Sequence, residues 1–102
     1  MAESTGPGGG PAGGPRIAIR SLGGRDFQVE VRDRGQQTTH RVSVPERLGG
    51  VEVAGDLERA VRESFQFLLE RESPSSILRQ FSLSDISRYF PEYPQELARR
   101  LG

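Results

Sequence analysis

Residues 16–45, RIAIRSLGGRDFQVEVRDRGQQTTHRVSVP, decide the fold of this chain. Three runs within them are short, rich in β-branched residues and bounded by Gly, Gln or Pro, which is typical of strands. The runs cover residues 16–22, 26–34 and 37–45. Gly23-Gly24 and Arg34-Gly35 separate them and supply glycines, which adopt positive φ at little cost. The pattern predicts two successive hairpins and an antiparallel meander.

Apolar and polar side chains alternate along these strands. In the second strand Phe27, Val29 and Val31 fall on one face, and the charged and amide side chains between them fall on the other. One face of the predicted sheet is therefore buried and the other meets water.

The segment 56–72, DLERAVRESFQFLLERE, predicts one long helix. Its apolar residues recur at three- and four-residue spacing, and Asp56 is a residue type that caps the first free amides. Phe65 and Leu68 lie on the stripe that we expect to face the sheet. Residues 46–55, just before the helix, predict a loop with a short extended piece and no definite conformation.

The segment 73–93, SPSSILRQFSLSDISRYFPEY, contains four of the seven aromatic residues. Ser73-Pro74 and the S-x-x-D pattern at Ser82 are helix-start signals. We therefore expect two short helices, at about 74–81 and 83–90, and a last turn that begins at Pro94.

Such a density of aromatic side chains needs either a core or a docking surface. We expect Phe90 to pack against the long helix and Tyr93 to cover its edge. The segment nevertheless supplies the candidate partner-binding residues, which are Tyr89, Phe90 and Tyr93.

The predicted fold class is α+β. It comprises a three-stranded antiparallel β-meander packed on one long α-helix, followed by two or three short C-terminal helices. Residues 16–102 are expected to form a single domain. Residues 1–15, MAESTGPGGGPAGGP, are too rich in Gly and Pro to join it and predict a disordered tail.

The composition excludes several function classes. Fourteen basic residues, all of them Arg, balance 14 acidic residues, so no overall field favours nucleic acid or an acidic membrane. The absence of Cys excludes disulfides and thiolate chemistry. No run of 18 apolar residues and no leader-like apolar stretch is present. We expect a cytoplasmic protein without a membrane partner.

The single histidine, His40, lies on the same strand face as Val42. It is expected to be a partly buried side chain bonded to a backbone group, because a catalytic base would need a neighbouring nucleophile and an orienting acid. The sequence predicts no catalytic, metal-binding or cofactor-binding residue, no cofactor and no enzyme activity.

The water-facing side of the sheet is predicted to form a basic patch. Its candidate nucleic-acid-binding residues are Arg16, Arg20, Arg32, Arg34 and Arg41. Sheets that bind RNA add aromatic rings on which bases stack, and none of these outward positions is aromatic. A non-enzymatic protein-interaction or regulatory module of unknown partner is the first prediction, and a nucleic-acid-binding regulator that uses the Arg-rich face is the alternative.

Three motifs carry a resemblance to known proteins: FQFLLERE (65–72), SILRQF (76–81) and ISRYFPEY (86–93). Over about residues 26–96 the chain resembles small uncharacterised bacterial proteins that share this C-terminal part. The resemblance implies a bacterial origin. It implies no activity, because none is assigned to those proteins.

Overall fold

The structure, a computed structural model, describes residues 14–102. The predicted disordered tail, residues 1–15, lies outside the described residues apart from Gly14 and Pro15. Buried apolar side chains of the sheet, the long helix and the C-terminal segment belong to one hydrophobic cluster.

The three predicted strands form an antiparallel meander. They are β1 (Arg16–Gly23), β2 (Asp26–Asp33) and β3 (Gln36–Ser43). At the β2–β3 turn, Arg34 has φ 54° and Gly35 has φ 77°, which lets the chain reverse in two residues. The alternating pattern places Phe27, Val29 and Val31 on the buried face, as predicted.

The long helix α1 (Leu57–Leu69) covers that face. The Asp56 carboxylate accepts a hydrogen bond of 3.0 Å from the Arg59 amide and so caps the first turn. Phe65 and Leu68 are buried, which confirms the predicted orientation of the helix. The predicted α+β class, with meander, long helix and C-terminal helices, is confirmed.

Residues 46–55 form a two-stranded hairpin of β4 (Arg47–Leu48) and β5 (Val51–Glu52). Arg25, in the β1–β2 turn, holds this hairpin against the meander. Its guanidinium donates to three backbone carbonyl oxygens at 2.6 to 3.0 Å, those of Val44, Pro45 and Val53.

The helix predicted at 74–81 is wrong. A single 3₁₀ turn (Pro74–Ser76) follows Ser73, and Ile77 is already extended, with φ −82° and ψ 135°. The chain then forms β6 (Gln80–Ser82), which pairs in parallel with β3 and places Phe81 opposite Val42. Burial of Phe81 beside the sheet therefore overrides the local helix-start signal.

Strand β6 changes the topology that the sequence predicted. The main sheet has four strands in the order β1-β2-β3-β6, and α1 lies in the crossover between the parallel strands β3 and β6. A β-α-β unit is therefore present, although the strand spacing did not predict one.

The rest of the C-terminal segment follows the prediction more closely. A 3₁₀ turn (Leu83–Asp85) starts with a capping box on Ser82 and continues into α2 (Ile86–Tyr89). The predicted last turn is a full helix, α3 (Tyr93–Leu101), with Pro94 in its first turn.

Candidate functional site

A groove of about 180 Å³ lies between the C-terminal end of α1 and the segment 76–90. We call it the C-terminal groove. Its floor is apolar, and its buried or half-buried members are Leu68, Ile77, Phe81, Ile86 and Phe90. Its remaining lining residues are Glu72, Ser76, Leu78, Asp85 and Tyr89.

Two of the three large apolar side chains exposed among residues 14–102 lie at this groove. Leu78 is 50% exposed and Tyr89 is 67% exposed, whereas Leu22, the third, is 37% exposed and lies elsewhere. A small protein stabilises its fold by burying such side chains, so their convergence on one groove marks this surface as a candidate docking site.

The backbone of Leu78, at the rim of the groove, is held in place by the His40 side chain of strand β3. His40 Nδ1 lies 2.7 Å from the Leu78 carbonyl oxygen, and His40 Nε2 lies 2.8 Å from Thr38 Oγ1. Because a carbonyl only accepts, Nδ1 carries the proton, and Nε2 of the neutral ring accepts from the Thr38 hydroxyl. The histidine expected to be partly buried and bonded to a backbone group is in fact fully buried with both nitrogens engaged.

Burial lowers the pKa of His40, because it disfavours the charged imidazolium. The hydrogen bond to the Leu78 carbonyl acts in the opposite direction, and the nearby Arg79 charge lowers the pKa further. His40 is therefore suited to anchoring the groove rim as a neutral group.

Of the three candidate partner-binding residues, Tyr89 and Phe90 line the groove and Tyr93 does not. Tyr93 is 0% exposed, so its assignment to the docking surface is wrong, and it is buried against the long helix rather than covering an edge. Its ring packs 5.3 Å from that of Phe67, because the first turn of α3 points it at α1.

The Tyr93 hydroxyl lies 2.6 Å from Ser64 Oγ, and Ser64 donates its own proton to the Ala60 carbonyl. Tyr93 therefore donates to Ser64, and burial raises the pKa of the phenol. Tyr93 is part of the core between α1 and α3. Phe90 is half-buried and packs edge-on to Phe67 at 5.7 Å, as expected for a residue that lies against the long helix.

The charged side chains that line the C-terminal groove are acidic. They are Glu72 and Asp85, whereas Arg79 and Arg88, which neighbour Leu78 and Tyr89 in the chain, are not among the lining residues. Within residues 14–102 none of these four forms an ion pair. Asp85 also accepts the Ser82 amide at 3.0 Å, which fixes its position.

The water-facing side of the sheet, which we call the open sheet face, carries four of the five predicted arginines in exposed positions: Arg16, Arg20, Arg32 and Arg41. Arg16 lies directly opposite Arg32 in the β1–β2 register. Asp26 and Glu30 occupy the same face.

The fifth arginine, Arg34, does not belong to this patch. It occupies the β2–β3 turn, where the positive φ breaks the strand alternation, and its Nη2 donates to the Leu69 carbonyl at 2.7 Å. Arg34 therefore caps the C-terminal end of α1 rather than facing the open sheet face.

Sequence reasoning missed Leu78 and Glu72 as members of the site. In the predicted helix Leu78 would join a buried stripe with Ile77. In an extended chain, however, neighbouring side chains point to opposite sides, so one of the two must face outward. The adjacent apolar pair Ile77-Leu78 was therefore a signal of an exposed apolar side chain, but only if this part of the chain is known to be extended.

Comparison of the chain with protein-family models, with curated proteins and with solved structures finds no match. The resemblance to small bacterial proteins, and the bacterial origin it implies, stay predictions. Within residues 14–102 no cluster of three or more His, Asp or Glu side chains is arranged to hold a metal ion. None of the helices in that range has the length and apolar character needed to cross a membrane.

Proposed function

We propose that this protein is a non-enzymatic interaction module that binds a polypeptide in the C-terminal groove. The partner brings one large apolar side chain and, beside it, a guanidinium or ammonium group. The observation that carries this proposal is the convergence of exposed Leu78 and Tyr89 on a groove with a buried apolar floor.

The size of the groove fits such an anchor. An apolar cavity of about 150 Å³ accepts a benzene molecule, so a groove of about 180 Å³ has room for one aromatic or large aliphatic side chain. Full burial of such a side chain contributes about 1.5 to 3 kcal/mol, which is the scale of one interface anchor.

The charge requirement follows from Glu72 and Asp85. Both carboxylates line the groove and neither forms an ion pair within the described residues. A basic neighbour of the apolar anchor would meet them, and a second acidic group would be repelled.

A binding role is favoured over catalysis by how the reactive side chains are used. Both His40 nitrogens are occupied inside the fold, and the Ser76 hydroxyl at the groove bonds to Ser73 Oγ at 3.1 Å rather than to a base. The cytoplasmic location expected from the sequence remains part of this proposal.

An NMR titration tests the proposed function. The probe is N-acetyl-phenylalanyl-arginine amide, and the matched control peptide carries glutamate in place of arginine. We expect amide shifts within residues 76–90, at lower concentration for the arginine peptide. Glu72→Gln should reduce the difference in affinity between the two peptides, and Tyr89→Ser should weaken the binding of both. Shifts confined to the sheet, no shifts, or equal responses to both peptides would contradict the proposal.

One observation favours a second candidate function on the open sheet face. Like charges directly opposite each other destabilise a strand pair, and Arg16 and Arg32 stand in that relation without a carboxylate partner among residues 14–102. A bound phosphate backbone would offset their repulsion, so we propose nucleic-acid binding there as the alternative. Retention on heparin tests it, as set out in the Discussion.

A further inference from the structure

We infer that the polypeptide in the C-terminal groove binds as an extended strand that pairs antiparallel with β6, and that its sequence follows the pattern basic-x-apolar-x-basic. The inference rests on the proposed function, because it names the conformation and the sequence pattern of the partner of the same groove. It starts from the edge of the sheet that runs along the groove.

Strand β6 is an edge of the main sheet, and its outer side is free. The strand order is β1-β2-β3-β6, so within residues 14–102 β6 pairs only with β3. The Arg41 amide of β3 donates to the Arg79 carbonyl at 2.8 Å. Because the backbone groups of successive strand residues point to opposite sides, the amide and carbonyl of Gln80 point away from β3. Such an unpaired edge is a template for another strand.

This free edge borders the C-terminal groove. Ile77, Leu78 and Phe81 line the groove, and they belong to the stretch 77–82 that contains β6. A strand that pairs with Gln80 therefore directs every second side chain towards the apolar floor. One residue of an antiparallel partner satisfies both the amide and the carbonyl of Gln80. A helical partner would leave both unpaired, because its own backbone groups are bonded within the helix.

Carboxylates stand before and after the free edge. Glu72 precedes the turn that leads into the stretch 77–82, and Asp85 accepts the Ser82 amide at 3.0 Å, where β6 ends. Both line the groove, and within residues 14–102 no basic side chain does. Residues i and i+2 of a strand share a face, so an apolar residue over the floor brings its second neighbour on either side towards a carboxylate. Basic residues at those two positions complete the pattern.

The opposite edge of the sheet, β1, is less suited to strand addition. Arg62 Nη1 donates to the Ile17 carbonyl at 2.8 Å, so this backbone acceptor is already occupied. Arg16 and Arg20 also lie on β1, and charged side chains on an edge strand discourage pairing with another chain. Of the two edges, β6 is therefore the one that offers an unoccupied residue beside the C-terminal groove.

Two peptides of identical composition test the sequence pattern in an NMR titration of the full chain. N-acetyl-Arg-Ser-Phe-Ser-Arg amide has the inferred alternation. The control, N-acetyl-Ser-Arg-Phe-Arg-Ser amide, when extended, places both arginines on the face opposite to the phenylalanine. We expect the first to bind about three- to tenfold more tightly. Glu72→Gln with Asp85→Asn should remove the difference. Equal affinities for the unaltered protein, or tighter binding of the control, would overturn the inference.

Backbone methylation of the first peptide tests the strand pairing. N-methylation of both serines removes the amide donors that face β6 in an antiparallel pair and sets methyl groups against the edge. It should weaken binding by at least about threefold. N-methylation of the phenylalanine and the last arginine alters donors that face away from β6, and it should weaken binding less. Equal or reversed losses would exclude the antiparallel strand.

Hydrogen exchange of the Gln80 amide reports on the same pairing from the side of the protein. This amide should exchange rapidly in the free chain and slowly in the complex with the first peptide. Slow exchange already in the free chain would show that the edge is not open, and unchanged exchange in the complex would show that no strand is added. Either result overturns the inference.

Gln80→Pro is the matching variant, because proline lacks the amide donor and is tolerated on an edge strand where that donor faces outward. It should bind the first peptide more weakly, whereas Gln80→Ala should bind it as the unaltered protein does. Circular dichroism establishes that both variants are folded. If the proline variant does not fold, the methylated peptides and the exchange of the Gln80 amide decide.

Failure of the inference and failure of the proposed function are distinguishable. The dipeptide N-acetyl-phenylalanyl-arginine amide tests the groove without requiring a strand. If it shifts residues 76–90 while the two longer peptides bind equally, the proposed function stands and only the strand is excluded. If neither the dipeptide nor either longer peptide shifts these residues, the proposed function fails as well.

Discussion

Two surfaces of this molecule are open to a partner, and they differ in the polarity of the side chains that they expose. The open sheet face presents four arginines and two carboxylates on a four-stranded sheet. The C-terminal groove presents half-exposed apolar side chains above a buried floor. Water solvates the first surface well and the second poorly, so a partner that covers the groove gains apolar burial and one that covers the sheet face does not.

The two surfaces are nevertheless joined through the core. His40 belongs to β3, on the inner side of the same sheet, and its Nδ1 holds the backbone of Leu78 at the groove rim. The groove is therefore positioned by the sheet while its chemistry comes from the C-terminal segment. Substitutions that separate buried supports from exposed rims show which residues build each surface and which are available to a partner.

The largest expected effect separates the two tyrosines near the groove. Tyr93→Ala should lower the free energy of unfolding by about 3 to 5 kcal/mol, because it removes a large, fully buried ring from between α1 and α3. Tyr89→Ala should change it by no more than about 0.5 kcal/mol, since Tyr89 is mostly exposed. Urea denaturation measures both, and equal losses would mean that Tyr89 also supports the fold.

The arginines offer a similar pair with a smaller expected effect. Arg34→Ala should lower the free energy of unfolding by about 0.5 to 1.5 kcal/mol, because the Leu69 carbonyl loses its hydrogen bond. Arg32→Ala, on the open sheet face, should leave stability within about 0.5 kcal/mol. Thermal unfolding of the two variants checks this. A larger loss of stability for Arg32→Ala than for Arg34→Ala would contradict the assignment of Arg34 to the end of α1.

Acid should weaken the fold through His40. Burial lowers the pKa of His40 in the folded protein, whereas the unfolded chain keeps a value near 6.5. Between these two values the unfolded state binds more protons, so stability falls as the pH falls. The contribution of neutral His40 is fully present above about pH 6.5 and is lost as the pH drops through the folded-state pKa.

His40→Asn is the matched variant for this prediction, because its amide still donates to the Leu78 carbonyl and does not titrate. Urea denaturation between about pH 8 and pH 5 should show a smaller loss of stability for His40→Asn than for the unaltered protein. Parallel curves for the two proteins would show that His40 binds protons equally in both states.

The last prediction concerns the open sheet face and holds only for the alternative function. If this face binds a phosphate backbone, heparin should retain the protein at low salt, and Arg32→Glu with Arg41→Glu should abolish retention. Arg79→Glu with Arg88→Glu changes the charge equally in the C-terminal segment and should reduce retention less. Flow-through of the unaltered protein at low salt would remove the nucleic-acid alternative.

The front half of the fold was predictable because its signals are local. Strands β2 and β3 alternate along nearly their whole length, β1 alternates over residues 16–20, and α1 repeats its apolar stripe over 13 residues. Strand β6 was not predictable, since it has only three residues and forms because Phe81 pairs beside Val42 across a long crossover. Ser73-Pro74 is a valid helix start that the chain uses for a single turn.

The candidate site divides in the same way. The aromatic density near residues 89–93 predicted Tyr89, Phe90 and Tyr93 together. Nothing local distinguishes the first two, which line the groove, from Tyr93, whose burial depends on its packing against α1. Likewise, the outward Arg pattern held on the strands and failed at Arg34. A turn residue with positive φ follows neither strand periodicity nor the face of its neighbours.

The central claim is that the C-terminal groove, rather than the open sheet face, is where this protein binds a polypeptide partner. An NMR titration of the full chain with N-acetyl-phenylalanyl-arginine amide tests it most directly, because the amide shifts that change map the contact surface. We predict changes concentrated in residues 72–90, with the largest near Leu78 and Tyr89, and none in β1. Changes confined to β1 or to the open sheet face, or a spectrum that does not change with peptide concentration, would contradict the account.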